Sequence, residues 1–302
     1  MRELKILAVV AFFTGALYWG VEPYAHHQLH PHVPAPDYTY SDTDDVRAGK
    51  TGNVAAGKSL IVDQFQCQSC HTLTVDGATI GASMDLGVMT PDLTTAGLIY
   101  DERYLAAFIA DPAKAAQVAH KFPVEEGMMH PMTKLDLTYD GIFGDDDAQA
   151  VADIVAFLKS IAPSEVTNKE AFTDACQRCH SIKYGDFKFD GSINTMLSKT
   201  PDASISKYMG TIPPDLSQYI RSRSKGYLHE FINNPDKHLH GTAMPRVGLT
   251  QAAEDQVITY MEEVGDSKKQ EREALAGPFL GYLVIFAIFA WLWKAKIWRE
   301  VH

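Results

Sequence analysis

CQSCH at Cys67–His71 and CQRCH at Cys176–His180 contain all four cysteines of the chain, and each pair runs directly into a histidine. The words that follow also match. The first copy continues to PDL (Pro91–Leu93) and YLAAFIADPAK (Tyr104–Lys114). The second continues to PDL (Pro214–Leu216) and YLHEFINNPDK (Tyr227–Lys237). In both, 13 positions separate the proline from the tyrosine. Equal words at equal offsets read as two copies of one module.

Each copy has a helical pattern. VAAGKSLIVDQFQ (Val54–Gln66) leads into the first motif as a short helix, and Lys169–Ala175 does the same for the second. YLAAFIA and YLHEFIN carry apolar residues at i, i+1, i+4 and i+5, one face of a helix. Each stops before Asp-Pro or Asn-Pro, because the residue ahead of a proline is pushed out of the helical region. AQAVADIVAFLKSI (Ala148–Ile161) and QAAEDQVITYMEEV (Gln251–Val264) close the two copies. The acidic run Asp145–Asp147 suits the positive end of the first closing helix, a partner-docking surface being the alternative. Phe65 and Phe172 are expected to pack against Phe157 and Tyr260.

The CxxCH spacing has a chemical reason. Two thiols on one turn add across the two vinyl groups of a haem, and the next residue offers its imidazole to the iron. Cys67, Cys70, Cys176 and Cys179 are therefore thioether candidates, His71 and His180 are proximal ligands, and the expected cofactor is two covalently bound haem c. A zinc site built from two knuckles needs them about 15–20 residues apart, whereas Cys70 and Cys176 are 106 apart. A thiol oxidoreductase would need a strand–helix context, and the pattern has none. A disulfide within CxxC would be strained.

The distal ligands are less evenly marked. Electron-transfer haems of this kind pair histidine with methionine, which raises the potential. In HLHGTAMPRVG (His238–Gly248) Met244 is the only methionine. The first copy instead has EEGMMHPMTKLDLT (Glu125–Thr138). Aligning GMMHP on GTAMP puts His130 at the ligand position. Aligning Leu137-Thr138 on Leu249-Thr250 puts Met132 there, and Met132 is the preferred reading. Met128 and Met129 stay open. Pro91 and Pro214 are expected on the proximal side, a nearby loop carbonyl accepting the ring N–H of the haem histidine.

Apolar segments flank the modules. Ala274–Trp293 is long enough to span a bilayer and has no internal charge. Lys294, Lys296 and Arg299 follow it, with Trp291, Trp293 and Trp298 crowding that end. Ile6–Val21 is shorter and reads as an anchor extended by Leu4, Arg2 and Lys5; a cleaved signal peptide is the alternative. The positive flanks put both ends on the cytoplasmic side and the modules on the outer side. The expected segments are an anchor at 1–22, a His- and Pro-rich linker at 23–53, modules at 54–162 and 163–264, and a polar stalk with a second anchor at 265–302. A net charge of −11 argues against nucleic-acid binding, which needs a clustered basic face, and suits steering of basic partners.

The repeat, GKSLIVDQFQCQSCH and GTAMPRVG resemble class I cytochromes c fused in tandem. The opening MRELKILAVVAFFTGALYWGVEPYAHHQLHPHVPAP and the C-terminal anchor resemble the two-haem cytochrome c1 subunit of bacterial cytochrome bc1 complexes. That resemblance implies an all-α chain, two tandem class I cytochrome c domains between transmembrane helices. It implies Cys67, Cys70, Cys176 and Cys179 as thioether sites and His71, His180, Met244 and Met132 as axial ligands. It further implies an electron-transfer subunit with no catalytic residues of its own, in a bacterial inner membrane with its haem domains in the periplasm. The partners would be cytochrome b, a Rieske iron–sulfur protein, an acceptor cytochrome c and membrane lipid, in a dimeric complex. A two-haem subunit of a terminal oxidase and a two-haem peroxidase are the alternatives.

Overall fold

The computed structural model describes residues 2–29, 35–47, 49–84, 88–121, 132, 147–184 and 196–301. Helix α1 (Arg2–Ala16) runs through a π turn at Leu17–Val21 into α2 (Glu22–Leu29). The helix therefore continues past the apolar run and takes in His26 and His27, the start of the expected linker.

The first module begins with α3 (Val54–Ser59). Asn53 caps it, its side chain accepting from Ala56 N at 3.0 Å, which satisfies one of the orphan amides of a helix start. A π turn at Leu60–Gln64 extends it, and Gln66, at φ 50°, turns the chain into the first CxxCH. A hairpin follows, β1 (Leu73–Val75) against β2 (Ala78–Ile80), with Leu73 opposite Ile80. The all-α expectation missed this hairpin. Its signal is the Asp76-Gly77 pair, both at positive φ, as a tight primed turn requires. Three helices come next, α4 (Ala96–Ile99), α5 (Glu102–Ala110) and α6 (Pro112–Ala115). Asp111 ends α5 and caps α6 through Lys114 N. Helix α7 (Asp147–Ile161) lies across α3. They approach closely at Gly57, where a Cβ would sit 2.0 Å from the Asp153 carbonyl oxygen. Leu60, Ile61, Leu73, Ile109, Ile154 and Phe157 form the core, with Phe65 packed on it.

The second half is built from helices, with a helix and, among the described residues, no hairpin between its CxxCH turn and its PDL loop. Helix α8 (Asn168–Ala175) starts with a capping box between Thr167 and Glu170. Helices α9 (Asp202–Met209), α10 (Tyr219–Ser222), α11 (Lys225–Asn233) and α12 (Pro235–His238) lead to α13 (Gln251–Gly265), which packs on α8. Phe172 meets Tyr260 at 5.2 Å between ring centroids. Helix α14 (Lys269–Val301) begins almost at once, so most of the expected stalk is helical.

Two helical stretches, Glu3–Gln28 and Lys269–Arg299, are long and apolar enough to cross a membrane. Their large side chains are uncovered, among them Trp19 at 79% and Trp293 at 70% exposure. Such a surface suits a hydrocarbon environment better than water. Lys294 Nζ pairs with Glu3 Oε2 at 2.6 Å, so the start of α1 lies beside the end of α14.

The halves are interlocked. Asp101 N donates to Gly248 O and Thr250 N donates to Ile99 O, both at 2.9 Å. Gly248 has φ +75° and lies flat on Tyr104; a Cβ there would fall 1.9 Å from the ring. The segment Asp37–Arg47 straps across both halves rather than behaving as a loose linker. Tyr40 is fully buried and donates to Leu249 O at 2.6 Å. Arg246 lies over the Tyr40 ring, binds both Asp42 carboxylate oxygens at 2.9 Å and donates through Nε to Asn233 O at 2.8 Å. Tyr38 donates to Glu254, which also bonds His229 Nδ1 at 2.7 Å.

Replacing Arg246 with Met leaves the buried Asn233 carbonyl without its donor. A cost of about 2 kcal/mol is expected, read as a fall of about 4–8 °C in the Tm of the detergent-solubilised protein. Glu254 is fully buried, and burial raises its pKa against the opposing bonds from His229 and Tyr38. The folded state then holds this proton more tightly than the unfolded chain. Its stabilisation is present at low pH and is lost as pH climbs above the ordinary carboxylate range. Glu254→Gln, which keeps the shape and cannot ionise, should flatten the fall of Tm between about pH 4.5 and pH 7. His229 and Tyr38 bond this carboxylate, and Asp255 faces the other side of the His229 ring.

Candidate haem sites

The two CxxCH turns have the same hydrogen bonds. Cys67 O accepts from Cys70 N at 3.1 Å and His71 N at 2.9 Å. Cys176 O accepts from Cys179 N at 3.1 Å and His180 N at 2.9 Å. Each turn is set by the helix before it, α3 with its π extension or α8. All four thiols are free, with no disulfide among them.

The PDL loops complete each turn in the same way. His71 Nδ1 bonds Pro91 O at 2.9 Å, and His180 Nδ1 bonds Pro214 O at 2.9 Å. A carbonyl only accepts, so Nδ1 carries the proton and Nε2 keeps its lone pair for a metal. Burial also holds both imidazoles below the usual histidine range, favouring the neutral, ligating form. The aspartates of the two loops were missed in the sequence. Asp92 accepts from Thr72 Oγ1 at 2.7 Å and Thr94 N at 2.7 Å; Asp215 accepts from Lys183 N at 3.1 Å and Ser217 N at 3.1 Å. Leu93 N donates to Thr72 O, and Leu216 N to Ser181 O. Their signal was available, since all three letters of PDL repeat.

Burial keeps three of the thiols protonated. Burial pushes Cys67 up to about 11 and Cys176 up to about 12, and it raises Cys179 as well. A thiol-disulfide enzyme needs a depressed value instead. Among the described residues no group of three or more His, Cys, Asp or Glu side chains is arranged to hold a metal ion. The donor set of each turn, two thiols and one imidazole with Nε2 available, fits a covalently attached haem.

Met244 is half-buried. Its backbone N donates to Thr242 Oγ1 at 3.2 Å, in a turn opened by Gly241 at φ +71°. Met132 is also half-buried. Met128, Met129, His130 and the acidic pair Asp145–Asp146 lie outside the described residues.

The family model for cytochrome c matches residues 54–162, the segment from α3 to the end of α7 and its following residue. No curated protein and no solved structure gives a match. The matched segment is a class I cytochrome c domain, whose work is electron transfer by covalently bound haem c. In a chain with Cys67 and Cys70 both replaced by Ala, this domain should lose its covalent haem. Haem staining on a denaturing gel, normalised to protein, should fall.

Proposed function

We propose that the chain is the dihaem cytochrome c1 subunit of a quinol–cytochrome c reductase, anchored by both terminal helices. The observation that carries the two-haem part is the repeated turn, with the same Cys-to-His bonds and the same ring N–H to proline carbonyl bond at His71 and at His180. The anchors and the opening sequence support the complex assigned.

On this reading Cys67 and Cys70 hold one haem and Cys176 and Cys179 the other. His71 and His180 would each offer Nε2 to the iron, and Met244 and Met132 would each offer a thioether sulfur. When bound, the haem supplies a one-electron iron couple whose potential depends on axial ligands and burial. The chain's own part is positional. Pro91 and Pro214 fix the imidazole tautomer, Asp92 and Asp215 brace the loops that present those carbonyls, and a methionine sulfur raises the potential. No substrate bond is made or broken. Electrons arrive from a Rieske iron–sulfur protein held beside cytochrome b and leave to an acceptor cytochrome c outside the membrane. The net charge of −11 favours a basic acceptor by long-range steering. The modules lie in the periplasm and the lipid-facing helices in the inner membrane, within a dimeric complex.

Purification of the membrane complex in mild detergent tests the assignment. Cytochrome b and a Rieske protein should travel with this chain, with two haems c per copy by haemochrome assay. A copper–haem oxidase subunit in their place would move the chain to a terminal oxidase. Met244→His should lower one midpoint potential and leave the other, whereas Met132→Ala should disturb only the second couple; an unmoved couple would return the ligand to Met128, Met129 or His130.

A further inference from the structure

The two candidate proximal histidines are joined by a short path through the contact between the halves. His71 Nδ1 is held by Pro91 O at 2.9 Å. Two residues before that proline, the Met89 N–H donates to Thr200 Oγ1 at 2.8 Å. The N–H of Thr200 donates in turn to Arg178 O at 3.3 Å. Arg178 stands two residues before His180, inside the second CxxCH. Thr200 is fully buried. Two further bonds hold the same strip together: Lys199 N to Gln177 O at 2.8 Å, and Thr95 Oγ1 to Asp174 Oδ2 at 2.7 Å. The loop that orients one imidazole is thus fastened to the turn that carries the other.

We propose that the electron passes between the two haem sites across this strip, from the His71 turn to the His180 turn, with Thr200 as the positioning clasp. The inference rests on the two-haem reading. One electron moves: the iron on one histidine goes from ferrous to ferric as the iron on the other goes from ferric to ferrous. No bond forms or breaks and no proton is needed. The electron itself comes from the iron–sulfur partner.

The intact detergent-solubilised complex tests this with two variants, each first checked for two haems c per chain. Thr200→Val keeps the volume and removes the acceptor for Met89; it should slow inter-haem transfer after rapid photoreduction by about threefold or more, while Thr200→Ser retains the wild-type rate. An unchanged rate in Thr200→Val would overturn the path. A wild-type chain with one haem would instead overturn the two-haem reading, an outcome seen before any variant is compared.

Discussion

A histidine ring nitrogen bonded to a proline carbonyl, formed once in each half, is the contact around which the chain is arranged. The bond decides which imidazole nitrogen carries the proton and so which one is left for iron. It needs a carbonyl brought to within 2.9 Å of a ring some 20 residues earlier in the first half and 34 in the second. The different separations are absorbed by loops, and the geometry at the ring is the same. A short aspartate-braced turn supplies the carbonyl, and a helix ahead of the motif supplies the ring. The crossing helices α3 and α7, or α8 and α13, hold that first helix still.

The halves are not independent beads. Ile99 of the first half sits in the core of the second, and the Arg246-Val247-Gly248-Leu249 run presents three carbonyls to the first half or to the strap. Tyr104 takes the one at Arg246, Asp101 N the one at Gly248, and Tyr40 the one at Leu249. Buried carbonyls demand donors, so this run specifies its neighbours closely. The relative placement of the two CxxCH turns is therefore set by hydrogen bonds and packing together. That rigidity suits electron transfer, in which no side chain has to move.

The membrane ends follow different physics. The large apolar side chains of α1 and α14 find no cover within the chain, and the Glu3–Lys294 pair joins the two helices at one end. Between them the acidic body carries its charge on exposed side chains. Among the described residues the exceptions are Glu254, Glu230 and Asp153, all buried: Glu254 is bonded to Tyr38 and His229, Glu230 to Lys237, and Asp153 to Asn53 N and the Gln149 amide.

Much of this was legible in the sequence, because it depends on local periodicity and on words of fixed spacing. The helices before each CxxCH, the YLxxF helices and the closing helices fall within a residue or two of the expected bounds. The proline carbonyls stand where the paired PDL words pointed. The hairpin at Asp76-Gly77 was also local and was passed over. Other features had no local signature. Asp37–Arg47 is polar and rich in turn residues, as a linker would be; only the pocket around Leu249 and Arg246 buries Tyr40. Thr200 and Arg178 are ordinary letters until folding carries Met89, 111 residues away, against the hydroxyl of Thr200. The sequence alone determined the repeated CxxCH and PDL words, the haem chemistry of the segment at 54–162 and the two long apolar segments, since each rests on residues near in the chain. The tertiary structure alone decided how the halves meet and which side chains lie between the two sites, because those contacts depend on packing across long separations.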